Sequence, residues 1–146
     1  MVKNTVVSVE RVVAAPPEMI FDFLADPRNH SLIDGSGTVQ DTRLGAPARL
    51  SLGAKFGMQM KVGVPYKITN EVVEFVEGKQ ISWRHMGGHI WRYNLEPVAG
   101  GTKVTEQFDY ANSKSPLMLR AARYPSRNRR SMLKTLDKLA AYFAAK

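Results

Sequence analysis

Residues 78–95 read GKQISWRHMGGHIWRYNL. Two runs of alternating character flank a glycine pair, the pattern of two antiparallel strands joined by a tight turn. Ile81, Trp83 and His85 share one parity, and His89, Trp91, Tyr93 and Leu95 share one on the second run. A two-residue Gly87-Gly88 turn would set Trp83 opposite Arg92. A three-residue Met86-Gly87-Gly88 loop sets Trp83 opposite Trp91, Ile81 opposite Tyr93 and His85 opposite His89. This second register gathers the large apolar side chains on one face, whereas a one-residue slip would split them. It also closes the loop on a glycine, which takes a left-handed conformation without strain. The longer loop is the expected one.

Upstream of this hairpin, Phe56, Met58, Met60 and Val62 alternate with Lys55, Gln59 and Lys61, giving another strand with one apolar face. Tyr66 to Glu77 continues as a strand whose phase breaks at Val72-Val73, where a β-bulge is expected. Residues 38 to 50 are weakly patterned, with room for one edge strand. Val7, Val9 and Val13 mark a first strand. Pro16-Pro17 ends it and opens a helix carrying Ile20, Phe21 and Leu24, with Met19 and Phe23 widening the apolar stripe. Asp26-Pro27 ends that helix, and a short helical turn through His30 and Leu32 follows. Downstream, Gly100-Gly101 turns the chain into a last strand with Val104, Phe108 and Tyr110 inward. Ser115-Pro116 reads as a helix start, and Leu117 to Tyr124 as helical, with Pro125 interrupting it. A new helix then begins near Ser126 and buries Leu133, Leu136, Ala140 and Phe143. Strands in the middle and helices at the ends indicate an α+β class.

The chain has 146 residues, a length suited to a single domain spanning residues 1–146. It holds no cysteine, which excludes disulfides, thiolate metal sites and cysteine nucleophiles. No apolar run reaches the roughly 18 residues of a membrane span, and the N-terminal stretch lacks the apolar block of a signal peptide. A cytoplasmic location is the expectation. The net charge of +8 is concentrated near the C-terminus: from Asn112 onward there are nine basic residues and one acidic residue, Asp137. That segment reads as a solvated helix face, with binding of an anionic membrane surface or of nucleic acid as the alternative; no sequence-specific nucleic-acid partner is expected.

The order of these elements resembles the START-like helix-grip superfamily, which includes polyketide cyclases and dehydrases and lipid-transfer domains. The pieces that carry the resemblance are Val7-Ser8-Val9-Glu10-Arg11 running into Ala15-Pro16-Pro17-Glu18-Met19-Ile20-Phe21, then Leu24-Ala25-Asp26-Pro27, Ile81-Ser82-Trp83-Arg84-His85, Gly101-Thr102-Lys103-Val104-Thr105-Glu106, and the terminal helix from Leu136 to Phe143. The resemblance implies a curved antiparallel sheet of about six or seven strands, two short helices after the first strand, and a long C-terminal helix. It also implies a cavity between sheet and helix for a hydrophobic small molecule, lipid or polyketide-like. The superfamily shares no single catalytic set, so chemistry has to be argued from the residues.

Inward parity makes Phe56, Met58, Met60, Trp83, Trp91, Tyr93, Phe108 and Tyr110 the candidate ligand-binding wall. His85, His89, Glu106 and Tyr93 are the candidate catalytic groups of a metal-free cyclase- or dehydrase-type enzyme. Two histidines without a third ligand at suitable spacing do not make a metal site, and no cofactor is expected. Glu106 stands out as a carboxylate on an apolar face, where a charge needs a partner. Arg11, of inward parity on the neighbouring first strand, is the expected partner. Asp26 and His30, four apart, read as a local cap or an exposed pair.

Overall fold

The computed structural model describes residues 5–35, 39–42, 47–85, 88–111, 117 and 123–145. Seven strands form one antiparallel sheet in the order β1-β7-β6-β5-β4-β3-β2. They are β1 (Val6–Val13), β2 (Val39–Thr42), β3 (Lys55–Val62), β4 (Val64–Val76), β5 (Gln80–His85), β6 (Ile90–Val98) and β7 (Gly101–Asp109). Strands β2 to β7 run as a meander, and β1 closes onto β7 at one edge. The described helices include α1 (Pro17–Leu24), α2 (His30–Ile33) and α3 (Tyr124–Ala144), with a 3-10 turn at Pro27–Asn29. This is the α+β helix-grip arrangement, with α3 laid against β1 and β7 and touching α2.

The β5–β6 hairpin takes the register that groups the large rings. Trp83 pairs with Trp91 and Ile81 with Tyr93, the His85 amide donates to the His89 carbonyl at 2.9 Å, and Gly88 has φ +97°. Met86 and Gly87 lie outside the described residues. The bulge falls where the phase breaks, with the β4–β5 register shifting between Val72 and Glu74. The extra residue bends the strand and increases its twist, which favours a concave inner face. That face carries Val9, Val104, Phe108, Trp83 and Tyr93, all buried. The outer face is polar, and there Arg92 reaches Glu74 at 2.6 Å.

Pro17 opens α1, as the proline pair requires, and Ile20, Phe21, Phe23 and Leu24 are buried from it. Met19 does not join them; it is half exposed, because a helix resting on one face buries only part of a wide apolar stripe. Asp26 caps the following turn by accepting from the Arg28 amide at 3.0 Å. Gly35, beyond α2, is pressed against α3 and donates its amide to Thr135 Oγ1 at 2.9 Å.

The C-terminal helix begins at Tyr124, within two residues of the expected start near Ser126, and departs from expectation in its buried stripe. Pro125 stands in its first turn, and Arg123, before it, lies in the left-handed region at φ +61°. A proline there is harmless, since the first helical amides have no intrahelical partner. Ser115, Pro116 and residues 118–122 lie outside the described residues. The buried stripe is Met132, Thr135, Leu136, Leu139 and Phe143, while Leu133 is exposed. The helix is thus rotated by about one residue from the Leu133-based reading. Leu136 and Phe143 belong to both stripes, so the pattern alone does not separate them. No helix among the described residues is long and apolar enough to cross a membrane.

Candidate functional site

Between the sheet and the helices lies a cavity of about 180 Å³. Its sheet side is built from inward residues of five neighbouring strands: Met58 and Met60 of β3, Ile68 and Asn70 of β4, Trp83 and His85 of β5, Trp91 and Tyr93 of β6, and Glu106 of β7. Strand alternation aims all of these to one side. The helix side comes from Leu24 of α1, His30 and Ile33 of α2 with Asp34 beyond it, and Asn128, Ser131, Met132 and Thr135 of α3.

The expected ligand wall divides in two. Met58, Met60, Trp83, Trp91 and Tyr93 line the cavity. Phe56, Phe108 and Tyr110 do not, and each is at most 2% exposed. Phe108 packs against Trp91 at 4.8 Å and Tyr110 at 5.6 Å between ring centroids, and Phe56 stands edge-on to Trp83 at 5.7 Å. Inward parity put these rings on the right face, but neighbouring rings fill the space beside them. They are core.

Of the four candidate catalytic groups, His85, Tyr93 and Glu106 line the cavity and His89 does not. His89 stacks on His85 with ring centroids 4.4 Å apart. Burial lowers the pKa of both. For His89 the fall is to about 4, deepened by the repulsion of a second charge on His85. Both rings are therefore neutral at pH 7.

Glu106 is 3% exposed. Desolvation pushes its carboxyl up to about 8, held back by a hydrogen bond from the Tyr93 hydroxyl and helped by the negative charge of Asp34. Tyr93 is itself driven well above 10 by burial, with the Glu106 charge adding to it. At pH 7 the site thus holds a protonated carboxyl beside a phenol.

Arg11 is not the partner of Glu106. It lies on β1, at the sheet edge, and pairs across from Val104. Its guanidinium turns outward to Asp137 of α3 as an exposed ion pair. The parity argument was sound, but an edge position lets a long side chain escape to solvent.

His30 also differs from the local reading. Its ring stacks on Trp83 at 4.6 Å and 18°, and its Nε2 lies 2.9 Å from the Leu24 carbonyl oxygen. A carbonyl only accepts, so Nε2 carries the proton. Burial lowers the His30 pKa, so Nδ1 of the neutral ring is left as an acceptor. His30, Asp34, Asn70 and Thr135 are cavity residues that sequence reasoning missed. Asn70 carried a usable signal, being a polar residue two positions from each of the inward Ile68 and Val72.

Two buried side-chain polar atoms among the described residues have no hydrogen-bond partner: Glu106 Oε1 and Asn70 Oδ1. Both residues belong to the cavity wall. Among the described residues, no group of three or more His, Cys, Asp or Glu is placed to hold a metal ion.

Comparison with known proteins adds the following. A family model described as polyketide cyclase / dehydrase and lipid transport matches residues 4–144. The uncharacterized protein Rv0088 of Mycobacterium tuberculosis H37Rv is 44% identical over 100 residues, covering 67% of this chain. The uncharacterized protein MT0096 of strain CDC 1551 is 43% identical over the same length. The matched stretch is 44% of each relative, so the chain spans less than half the length of these curated proteins. Among solved structures, protein NE0264 of Nitrosomonas europaea superposes with a TM-score of 0.75 at 15% identity, covering 97% of this chain and 95% of that one. Protein CV1439 of Chromobacterium violaceum gives 0.73 at 19% identity, covering 95% and 96%. At such identities these likenesses show the fold alone.

Proposed function

The chain belongs to the polyketide cyclase/dehydrase and lipid-transport family, and we propose that it binds a compact, largely apolar small molecule in the cavity, with the ligand's polar atoms meeting Glu106 and Asn70. One observation carries this reading. Buried polar atoms in folded proteins nearly always have hydrogen-bond partners, because leaving one unmade costs about 1–3 kcal/mol. Both exceptions among the described residues face one cavity. A ligand that brings polar atoms to them removes the cost.

Size limits the ligand. An engineered apolar cavity of about 150 Å³ accepts benzene, and drug-sized ligands occupy roughly 300–1,000 Å³. A cavity of about 180 Å³ suits a molecule of one or two rings better than a long acyl chain. Met58, Met60 and Met132 give the wall some adaptability, since methionine side chains adjust to irregular shapes.

The test uses 2-phenylethanol as a neutral probe. Saturable binding should shift the indole N–H resonances of Trp83 and Trp91, and Trp83→Ala should weaken it. Absence of saturable binding at millimolar probe, or shifts that spare both indoles, overturns the reading.

A second reading, acid–base catalysis, draws on the protonated Glu106 carboxyl beside Tyr93 and the neutral His85. A carboxylic acid with a pKa near the working pH is suited to proton transfer. If this reading holds, turnover of an activated carbonyl substrate falls at least a hundredfold in Glu106→Gln, and unchanged turnover refutes it.

A further inference from the structure

Accepting that the cavity binds a small molecule, we propose that its ligand is a cation: an amine carried on a ring-sized apolar body, with the ammonium seated at Glu106. The argument starts from what the wall offers. Asn70 Oδ1 is an acceptor oxygen without a partner, and so is Glu106 Oε1 once the carboxyl has ionised, on residues at most 4% exposed. They lie three strands apart in the sheet order, so they address different parts of one ligand. Asp34 adds a second carboxyl to the wall. The neutral ring of His30 offers a lone pair rather than a charge. Against this, no lysine or arginine stands among the described residues that line the cavity, although the chain carries a net charge of +8.

A ligand carboxylate would meet two carboxyls and no cation. A hydroxyl brings a single donor, whereas an ammonium brings three and a charge. Trp83, Trp91 and Tyr93 provide aromatic surface on the same wall, and aromatic rings attract ammonium groups once water is excluded. The proposal also explains how a desolvated carboxyl is tolerated. Glu106 holds a proton while alone and exchanges it for the ligand's charge on binding.

That exchange makes a measurable signature. Glu106 must lose its proton for the amine to gain an ion pair. Below about pH 8 the amine's affinity therefore falls about tenfold per pH unit. The other groups facing Glu106 do not titrate between pH 7 and 8.5. Tyr93 on β6 lies well above 10, and His30 and His85 are already neutral. Asp34, beside α2, is the acidic neighbour whose charge raises the Glu106 pKa.

The experiment compares 2-phenylethylamine, 2-phenylethanol and 3-phenylpropionate by isothermal titration at pH 7.0 and 8.5, with wild type and Glu106→Gln. At pH 8.5 the amine should bind at least tenfold more tightly than the alcohol, and the propionate most weakly. In wild type the amine should gain about tenfold from pH 7.0 to 8.5 while the alcohol stays constant, a result that needs no variant. Glu106→Gln should erase the amine's advantage over the alcohol. Equal or tighter binding of the alcohol at pH 8.5, a pH-independent amine affinity, or an amine advantage that survives Glu106→Gln overturns the inference while leaving the binding function intact. If none of the three probes binds, the binding function falls and the inference falls with it.

Discussion

Replacing Glu106 with glutamine should change the shape of the stability–pH curve more than its height. Glutamine keeps the size of the side chain and removes the titration. In the folded state the Glu106 pKa stands at about 8, against 4.5 for the ordinary group. The folded protein therefore binds more protons than the unfolded chain between those values, and stability falls as pH rises through the window. One pKa unit corresponds to about 1.36 kcal/mol, so the loss between pH 5 and 8.5 is on the order of 4 kcal/mol. The histidines act in the opposite sense. His30, His85 and His89 have lowered pKa values, to about 4 for His89. The unfolded chain then binds the extra protons, and stability rises with pH until about 6.5. Wild type should show a dome with its maximum near pH 6.5, the two effects offsetting each other below it. Glu106→Gln should rise to the same region and then hold a plateau. Urea unfolding at half-unit steps from pH 5 to 9 measures both curves. Their difference isolates Glu106, because every other titrating group is common to the two proteins. Parallel curves above pH 6.5 would refute the assignment of a buried, proton-holding carboxyl.

Gly35→Ala should destabilise the protein by about 1–3 kcal/mol through overpacking, because a Cβ there would run into the Ser131 carbonyl oxygen; an unchanged Tm would show that the Gly35 backbone is not in close contact with α3. The Arg11–Asp137 pair is exposed on both sides, so a double-mutant cycle with alanine should give a coupling below about 1 kcal/mol, and a value above about 2 kcal/mol would place the pair in a less hydrated setting.

The sheet was legible in the sequence because strand alternation is a two-state code. Once Trp83 is set opposite Trp91, every neighbouring residue has an assigned face. The bulge at Val72–Glu74 announced itself by the break in that code. The helices were less legible. Along α3, Leu133-Leu136-Ala140-Phe143 and Met132-Leu136-Leu139-Phe143 are both acceptable apolar stripes, and only the packing of α2 and Gly35 against α3 selects the second. Pro125 gave a true signal of a helix boundary, and the helix begins one residue before it.

The cavity was half legible for a related reason. Parity tells which side of a sheet a residue faces, but not whether the space before it is filled. Phe108 and Tyr110 satisfy the same alternation as Glu106, yet aromatic neighbours stack onto the first two. The hollow begins where β7 turns from rings to a carboxyl. The helix side of the cavity takes His30 and Asp34 from opposite ends of a four-residue helix too short to show any period. Nothing in local sequence could place His30 on Trp83. Glu106 itself was conspicuous, and the ordinary rule that a buried charge has an opposite charge nearby pointed to Arg11. The rule is met here in another way. With Arg11 drawn out to Asp137, burial protonates the acid instead. A chain with 21 basic residues could have supplied a partner for Glu106 at little cost. That none stands among the described residues lining the cavity is the strongest reason to regard the carboxyl as kept for a ligand rather than for the fold.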